Sequence, residues 1–323
     1  MKNIIVISVF TGLCGMAASC SDGGSNTLQP VATTVSLEGA IGVSTRGVIG
    51  SGYDKELAVS FARQDETAAG SGAYGACILC PAVREGGKGN RPVSFADLQL
   101  YPSDGRNIRM QGYYPAKGDG VAVDAASETV EFTVDGATDI MATDCLMGDT
   151  YIPFTRCTFR HLLTQVQLVC YSRDAAKWGA VNRIEVVDVD TRQKLRFFSD
   201  SPSLAASSAA EIKNIPVPDM PSFLLPEVAE GDDLPDPQGI VLLPLSSFEA
   251  STDGALRLRI VTSCDGHGDD METVSEVSVG VKGGFLAGKS HVISLFFTGG
   301  SRIETAIVGV AAWTEHEEGN IPI

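Results

Sequence analysis

The chain has 323 residues, 44% of them hydrophobic and 20% charged, with a net charge of −16 and a pI near 4.6. That acidity argues against a partner bound through its phosphate backbone, because nucleic-acid recognition takes clustered Lys and Arg. Many glycines, abundant Val, Thr and Ser and few long amphipathic periods predict an all-β protein. The length suits two domains.

In chain order, Lys2 precedes an apolar run from Ile4 to Leu13, and Ala17-Ala18-Ser19 lead to Cys20. A spanning helix needs about 20 apolar residues, so this short run, rich in Gly, Ser and Thr, predicts a secretory signal over residues 1–19. Small residues directly before a cysteine are what bacterial lipidation of the first mature residue requires. Cys20 is therefore expected to carry lipid and to hold the protein at the outer membrane, although Ala17 stands where Leu is commoner; the alternative is a plain secretory signal cut nearby. Residues 20–34 are polar and read as a tether.

A first extended segment over 35–44 is followed by Thr45-Arg46-Gly47, and a second contains Leu57, Val59 and Phe61 at alternate positions, as a half-buried strand requires. The same period recurs at Val93 and Phe95, at Leu98 and Leu100, and at Val130, Phe132 and Val134, with Gly, Asp, Asn and Pro clusters between. Residues 157–170 predict one long strand with Val166, Leu168 and Cys170 on one side. Further strands are expected at 184–189, 195–198, 240–245, 256–261, 274–281, 291–297 and 303–313, and so many short strands with turn punctuation predict sandwiches. Residues 202–213 are Ala-rich and suit one helix or a loop. Six prolines between Pro216 and Pro237 disfavour central strands and predict a surface insertion over 215–237. Turn residues at 148–151 place the boundary between an N-terminal sandwich, 35–149, and a C-terminal one, 150–323.

Candidate chemistry is sparse. Of the eight cysteines, Cys77, Cys80, Cys145, Cys157, Cys170 and Cys264 lie beyond the signal and Cys20, and their pairing is open. Cys77-Ile78-Leu79-Cys80 lacks a second pair or a suitably spaced His, so a buried thiol or local disulfide is preferred over a zinc or redox site. Gly70-Ser71-Gly72-Ala73-Tyr74-Gly75 matches GxGxxG, but a βαβ unit is missing around it and a flexible loop is expected. His161, His267, His291 and His316 sit in none of the hydrolase motifs, and His161 and His291 read as structural. Asp265-Gly266-His267-Gly268-Asp269-Asp270 lacks the spacing of a calcium loop and reads as a solvated turn. A glycosidase carboxylate pair depends on spatial separation, which sequence does not give. Neither a cofactor nor a metal is expected, and no enzymatic activity.

Four segments are less generic: Gly112-Tyr113-Tyr114-Pro115; residues 135–142, Asp-Gly-Ala-Thr-Asp-Ile-Met-Ala; residues 159–168, Phe-Arg-His-Leu-Leu-Thr-Gln-Val-Gln-Leu; and Leu286-Ala287-Gly288-Lys289-Ser290-His291. In this order they resemble the fimbrillin family, including Mfa-like proteins, of Bacteroidetes, over residue 35 to the end. Ser21-Asp22-Gly23-Gly24 is similar to the acidic tags that route lipoproteins to the surface of such bacteria; a flexible tether is the plainer reading. The resemblance implies two transthyretin-like β-sandwich domains in tandem and a subunit of a surface fimbria, stalk or tip. It further implies a lipidated precursor cut after an Arg behind the first strand, whose departure opens a groove for a strand of another subunit. Arg46 and Gly47 stand where that cut belongs, and Val35, Leu37 and Ile41 would line the strand to be lost. Ala306, Val308, Val310 and Ala312 share one face of a candidate donor strand; the plain alternative is the last strand of its own domain. The partners so implied are other fimbrial subunits and a host or bacterial surface ligand. A glycan-binding surface lipoprotein that does not polymerise is the alternative function, and it would need clustered exposed aromatics.

Overall fold

The computed structural model describes residues 33–42, 53–249, 255–281 and 283–312, apart from the side chains of 311 and 312. In chain order they form β1 (Leu37–Ile41), β2 (Leu57–Asp65), β3 (Ile78–Arg84), β4 (Arg91–Phe95), β5 (Ile108–Tyr114), β6 (Val121–Asp124), β7 (Thr129–Thr133), β8 (Met141–Ala142), β9 (Leu146–Gly148) and β10 (Arg156–His161). There follow β11 (Thr164–Ser172), β12 (Ala180–Asp190), β13 (Arg192–Arg196), β14 (Leu204–Ala206), β15 (Ile212–Pro216), β16 (Phe223–Leu224) and β17 (Gly239–Leu243). After one helical turn, Ser246–Glu249, come β18 (Ala255–Thr262), β19 (Thr273–Gly280), β20 (Lys289–Thr298) and β21 (Arg302–Ala312). The all-β expectation is met.

Strands of the first sheet pair in the order β2-β3-β4-β1-β10-β8-β5, and β5 pairs back onto β2, so they close into a ring with β9 attached to β5. Closure leaves these strands no free edge. Alternate side chains of β2, namely Leu57, Val59 and Phe61, point into the ring and are buried with Ile108, Met110, Met141 and Phe159. Ala62, on the other side of β2, belongs to a second core.

That second core lies between two sheets, β17-β11-β20-β21 and β15-β12-β18-β19. Val166, Leu168 and Cys170 of β11 and Ile293, Leu295 and Phe297 of β20 share it with Val181, Ile184 and Val186 of β12 and Leu256, Leu258 and Ile260 of β18. A third sheet, β14-β13-β7-β6, adds Val130, Phe132 and Leu195. Pairing crosses residues 148–151 both ways: β10 belongs to the ring, and β7 pairs with β13.

Three local expectations are corrected. Residues 157–170 are two strands, because Leu162 and Leu163 are both buried and break the alternation just where the chain passes from the ring to the second core. Leu98 is exposed in a loop, and Leu100 makes only a bridge to Thr34. The Ala-rich stretch contains β14 and the start of β15 rather than a helix or a loop alone, as β14 has β13 to pair with. The proline-rich stretch runs from the end of β15 to β17 and holds just the two-residue β16.

Candidate functional site

β1 is five residues long and sits between β4 and β10. It runs parallel to β10, with Glu38 opposite Arg156 and Ile41 opposite Phe159, and antiparallel to β4, with Leu37 opposite Val93. Val35, Leu37 and Ile41 are buried in the ring while Glu38 faces solvent. Burial of each such aliphatic side chain stabilises by about 1.5–3 kcal/mol. Inward-facing Gly39 lies between Leu37 and Ile41. A Cβ there would meet Val93 Cγ2 at 3.1 Å, Phe159 Cε2 at 3.4 Å and Cys157 Sγ at 3.6 Å. Phe159, edge-to-face with Phe61 at 6.0 Å, fills the ring behind this point.

Two buried polar devices hold the β1 backbone. Arg84, at the end of β3, is fully buried; its Nε donates to the Gly39 carbonyl at 2.9 Å, and its Nη atoms donate to the carbonyls of Glu85, Gly87 and Gly89. Backbone carbonyls thus replace the carboxylate that usually accompanies a buried guanidinium. Burial, and then the charge of Arg91, lower the Arg84 pKa. The second device is His161, at the end of β10. Its Nδ1 lies 2.5 Å from Asp139 Oδ2, and its Nε2 lies 3.1 Å from the carbonyl of Gly42. A carbonyl only accepts, so Nε2–H donates to Gly42, and Nδ1 and the carboxyl of Asp139 share one proton. Complete burial raises the pKa of Asp139, with His161 opposing. At the same end of β1, the N–H of Gly42 donates to Phe159 O at 2.7 Å.

Cys157 and Phe159 of β10 line the floor of the slot beneath β1. Burial pushes the Cys157 thiol up to about 12, with Arg84 pulling the other way. All six described cysteines are thiols. The GxGxxG segment is a loop in which Gly72 N–H donates to Glu66 Oε1, and the 265–270 segment is a turn in which Asp265 Oδ1 accepts from the N–H of His267 and Asp269. Among the described residues, no cluster of His, Cys, Asp and Glu is arranged to hold a metal.

No protein-family profile matches this chain, and no curated protein does. Solved structures do. A candidate cell adhesion protein of Bacteroides uniformis superposes with a TM-score of 0.57 at 15% identity, over 87% of this chain and 98% of that one. The fold is that of Bacteroides adhesion and fimbrial proteins. A second candidate cell adhesion protein, from Bacteroides ovatus, gives 0.55 at 13% identity over 89% and 100% of the two chains. A fimbrial protein of Bacteroides vulgatus gives 0.54 at 15% over 87% and 100%.

The four fimbrillin-like segments converge near the end of β1. Asp139 and His161 come from two of them, Gly112 of a third packs against Phe61 and Phe159, and Gly288 of the fourth donates its N–H to Leu163. Cys20, Arg46 and Gly47 lie outside the described residues. Ala306, Val308 and Val310 are exposed in β21, at 45% for Val308 and 50% for Val310, but a bulge at Val308 puts Val310 opposite His291, on the face of Ile307 rather than that of Ala306; the side chain of Ala312 is outside the described set. β21 is the edge strand of its sheet, antiparallel to β20. Trp178 is fully buried and donates Nε1–H to Thr298 O, which removes it from any sugar platform; Trp313 lies outside the described residues. Sequence reasoning missed Arg84 and the pairing of Asp139 with His161. Cys80, Ala82 and Arg84 alternate on one face of β3, so a charged residue in an inward register was the available signal for Arg84.

Proposed function

We propose that this protein is a subunit of a surface adhesion filament, stalk or tip, without enzymatic activity. In this reading its ring and its sandwich are two transthyretin-like units in tandem. The precursor is lipidated at Cys20 and reaches the outer face of the outer membrane. A cut after Arg46 then separates β1 from the rest of the chain, and a strand of another subunit takes its place. The observation that carries the reading is β1 itself: a five-residue strand, buried and paired on both sides, which belongs to the ring in space but precedes in sequence the only Arg between it and β2.

Loss of such a strand exposes main-chain donors and acceptors of β4 and β10 above an apolar trough, which is what strand addition requires. The shared fold with adhesion and fimbrial proteins supports a cell-surface role. N-terminal sequencing and intact mass of the native protein test the reading. A start at Gly47 is expected for assembled subunits and a lipidated start at Cys20 for the precursor. Arg46→Ala should leave a precursor that does not polymerise, and unchanged polymerisation of Arg46→Ala overturns the mechanism.

A further inference from the structure

Strand directions in the ring collect a particular set of loops at one end. β1 runs parallel to β10 and antiparallel to β4, β3 is antiparallel to β4 and to β2, and β2 is antiparallel to β5. The starts of β1, β5 and β10 and the end of β4 therefore meet at one end, with the loops over 96–107 and 149–155. Hydrogen bonds tie them together. The N–H of Val35 donates to Gln99 O and that of Tyr101 to Thr33 O, both at 2.9 Å, and the hydroxyls of Thr33 and Thr150 lie 2.8 Å apart. The other end of the ring holds His161, from which the chain passes into β11 and the second core.

The loops of the first end show apolar side chains to solvent. Leu98, Tyr151 and Ile152 are 72%, 75% and 76% exposed, and among the other described large apolar residues only Leu224 matches them. One such residue is ordinary, but three at one end of a closed ring mark a contact surface. They are also fixed in place. Asp149 Oδ1 accepts from the N–H of Tyr151 at 2.7 Å and of Ile152 at 2.6 Å, so the turn loses little freedom on meeting a partner.

This is the end at which the chain arrives from Cys20. Twelve residues, 21–32, lie between Cys20 and Thr33, and a chain of that length reaches at most about 45 Å when fully extended. The charged residues of the two loops are Asp97, Asp104, Arg106 and Asp149, and Arg106 is paired with Asp104. A surface with that balance, on a chain of net charge −16, is repelled by anionic headgroups and suits zwitterionic ones.

We infer that this end of the ring seats on a zwitterionic phospholipid surface, with Leu98, Tyr151 and Ile152 entering its interfacial layer. The inference rests on the lipid anchor at Cys20 in the reading above. Leu98 and Ile152 exchange water for the acyl boundary, while the Tyr151 ring does the same and keeps its hydroxyl among the headgroups. The anchor holds the loops at high local concentration, so a weak contact suffices. The uncut chain then stands with its ring on the membrane and its sandwich away from it. A cut after Arg46 ends the covalent hold, and three side chains are too few to keep the subunit there alone.

The test supplies the anchor itself. The secreted chain, from residue 20 onward, carries a hexahistidine tag in place of Cys20 and is held on phosphatidylcholine vesicles that contain a nickel-chelating lipid. Tyr151→Trp is compared with Leu224→Trp, each corrected for the parent's emission from Trp178 and Trp313, with acyl-brominated phosphatidylcholine as quencher. Quenching should be at least twofold stronger for Tyr151→Trp. Adding Leu98→Ser and Ile152→Ser to that variant should reduce it at least twofold, and replacing part of the phosphatidylcholine by phosphatidylglycerol should also reduce it. Equal quenching of the two tryptophan variants overturns the inference, and so does quenching that grows with phosphatidylglycerol. Self-association in solution that Leu98→Ser and Ile152→Ser abolish, without quenching by lipid, overturns it in favour of an interface between copies. Intact mass of the native protein reads the anchor separately: a Cys20 without lipid overturns the reading and this inference together, whereas equal quenching beside a lipidated Cys20 overturns the inference alone.

Discussion

β1 and β21 are both strands near the ends of the described chain, and they are held in opposite ways. β1 is short, buried on its inner face, paired on both sides and tied through two carbonyls to Arg84 and to the Asp139–His161 pair. β21 has eleven residues, but it is paired on one side and shows much of its apolar surface to solvent. Length therefore does not measure how firmly a strand is bound. What counts is how many neighbours it has and whether its inward side chains reach a closed core, and by that measure the short strand occupies the better site. A chain built so has a firmly held short strand near one end and a weakly held long one near the other.

The largest expected difference comes from truncating one side chain in each strand. Leu37→Ala should cost about 2–5 kcal/mol, because it leaves a cavity in the ring, whereas Val310→Ala should stay within about 0.5 kcal/mol. Urea unfolding of the two variants checks this, and equal losses would break the comparison.

Arg84→Met should cost about 1–3 kcal/mol, since the carbonyls of Gly39, Gly87 and Gly89 lose a buried donor. Amide exchange should then rise in β1 before it rises in β21's neighbour β20. Arg84→Lys should not restore it, because a single ammonium does not reproduce the guanidinium fork.

With its thiol pushed up to about 12, Cys157 should resist alkylation at pH 8 while the partly exposed Cys77, Cys145 and Cys264 react, since the thiolate is the nucleophile. Alkylation of Cys157 at the rate of those three in the uncut protein would show that β1 is not the closed stave described.

The smallest effect concerns Glu66, at the end of the ring. The N–H groups of Gly72 and then Asn107 donate to its carboxylate and lower its pKa below the ordinary 4.5. A carboxylate with a lowered folded pKa stabilises above its unfolded pKa, and that contribution is lost as pH falls through the folded one. Stability should thus decline below about pH 4.5 in the parent and decline less steeply in Glu66→Gln, as measured by urea midpoints.

Much of the strand content was legible because one face of each strand is buried and the other is not. Leu57, Val59 and Phe61 in β2, and Val166, Leu168 and Cys170 in β11, alternate as a pleated strand dictates. The pattern failed where that condition failed. Leu162 and Leu163 are both buried at the crossing between two cores, so two strands read as one. β3 escaped notice because exposed Ile78, Leu79 and Val83 share it with inward Arg84, which inverts the usual order of polar and apolar faces.

The sequence by itself determined that the chain is acidic and strand-rich, and that an Arg follows the extended segment over 35–44. These are local properties of residue type and spacing. Only the tertiary structure decided that β1 is a stave of a closed ring, that Asp139 and His161 pair beside the carbonyl of Gly42, and that a Cβ at Gly39 would press on Val93. Each of these depends on which distant strands lie side by side, and alternation along a chain carries no information about its neighbours across a sheet.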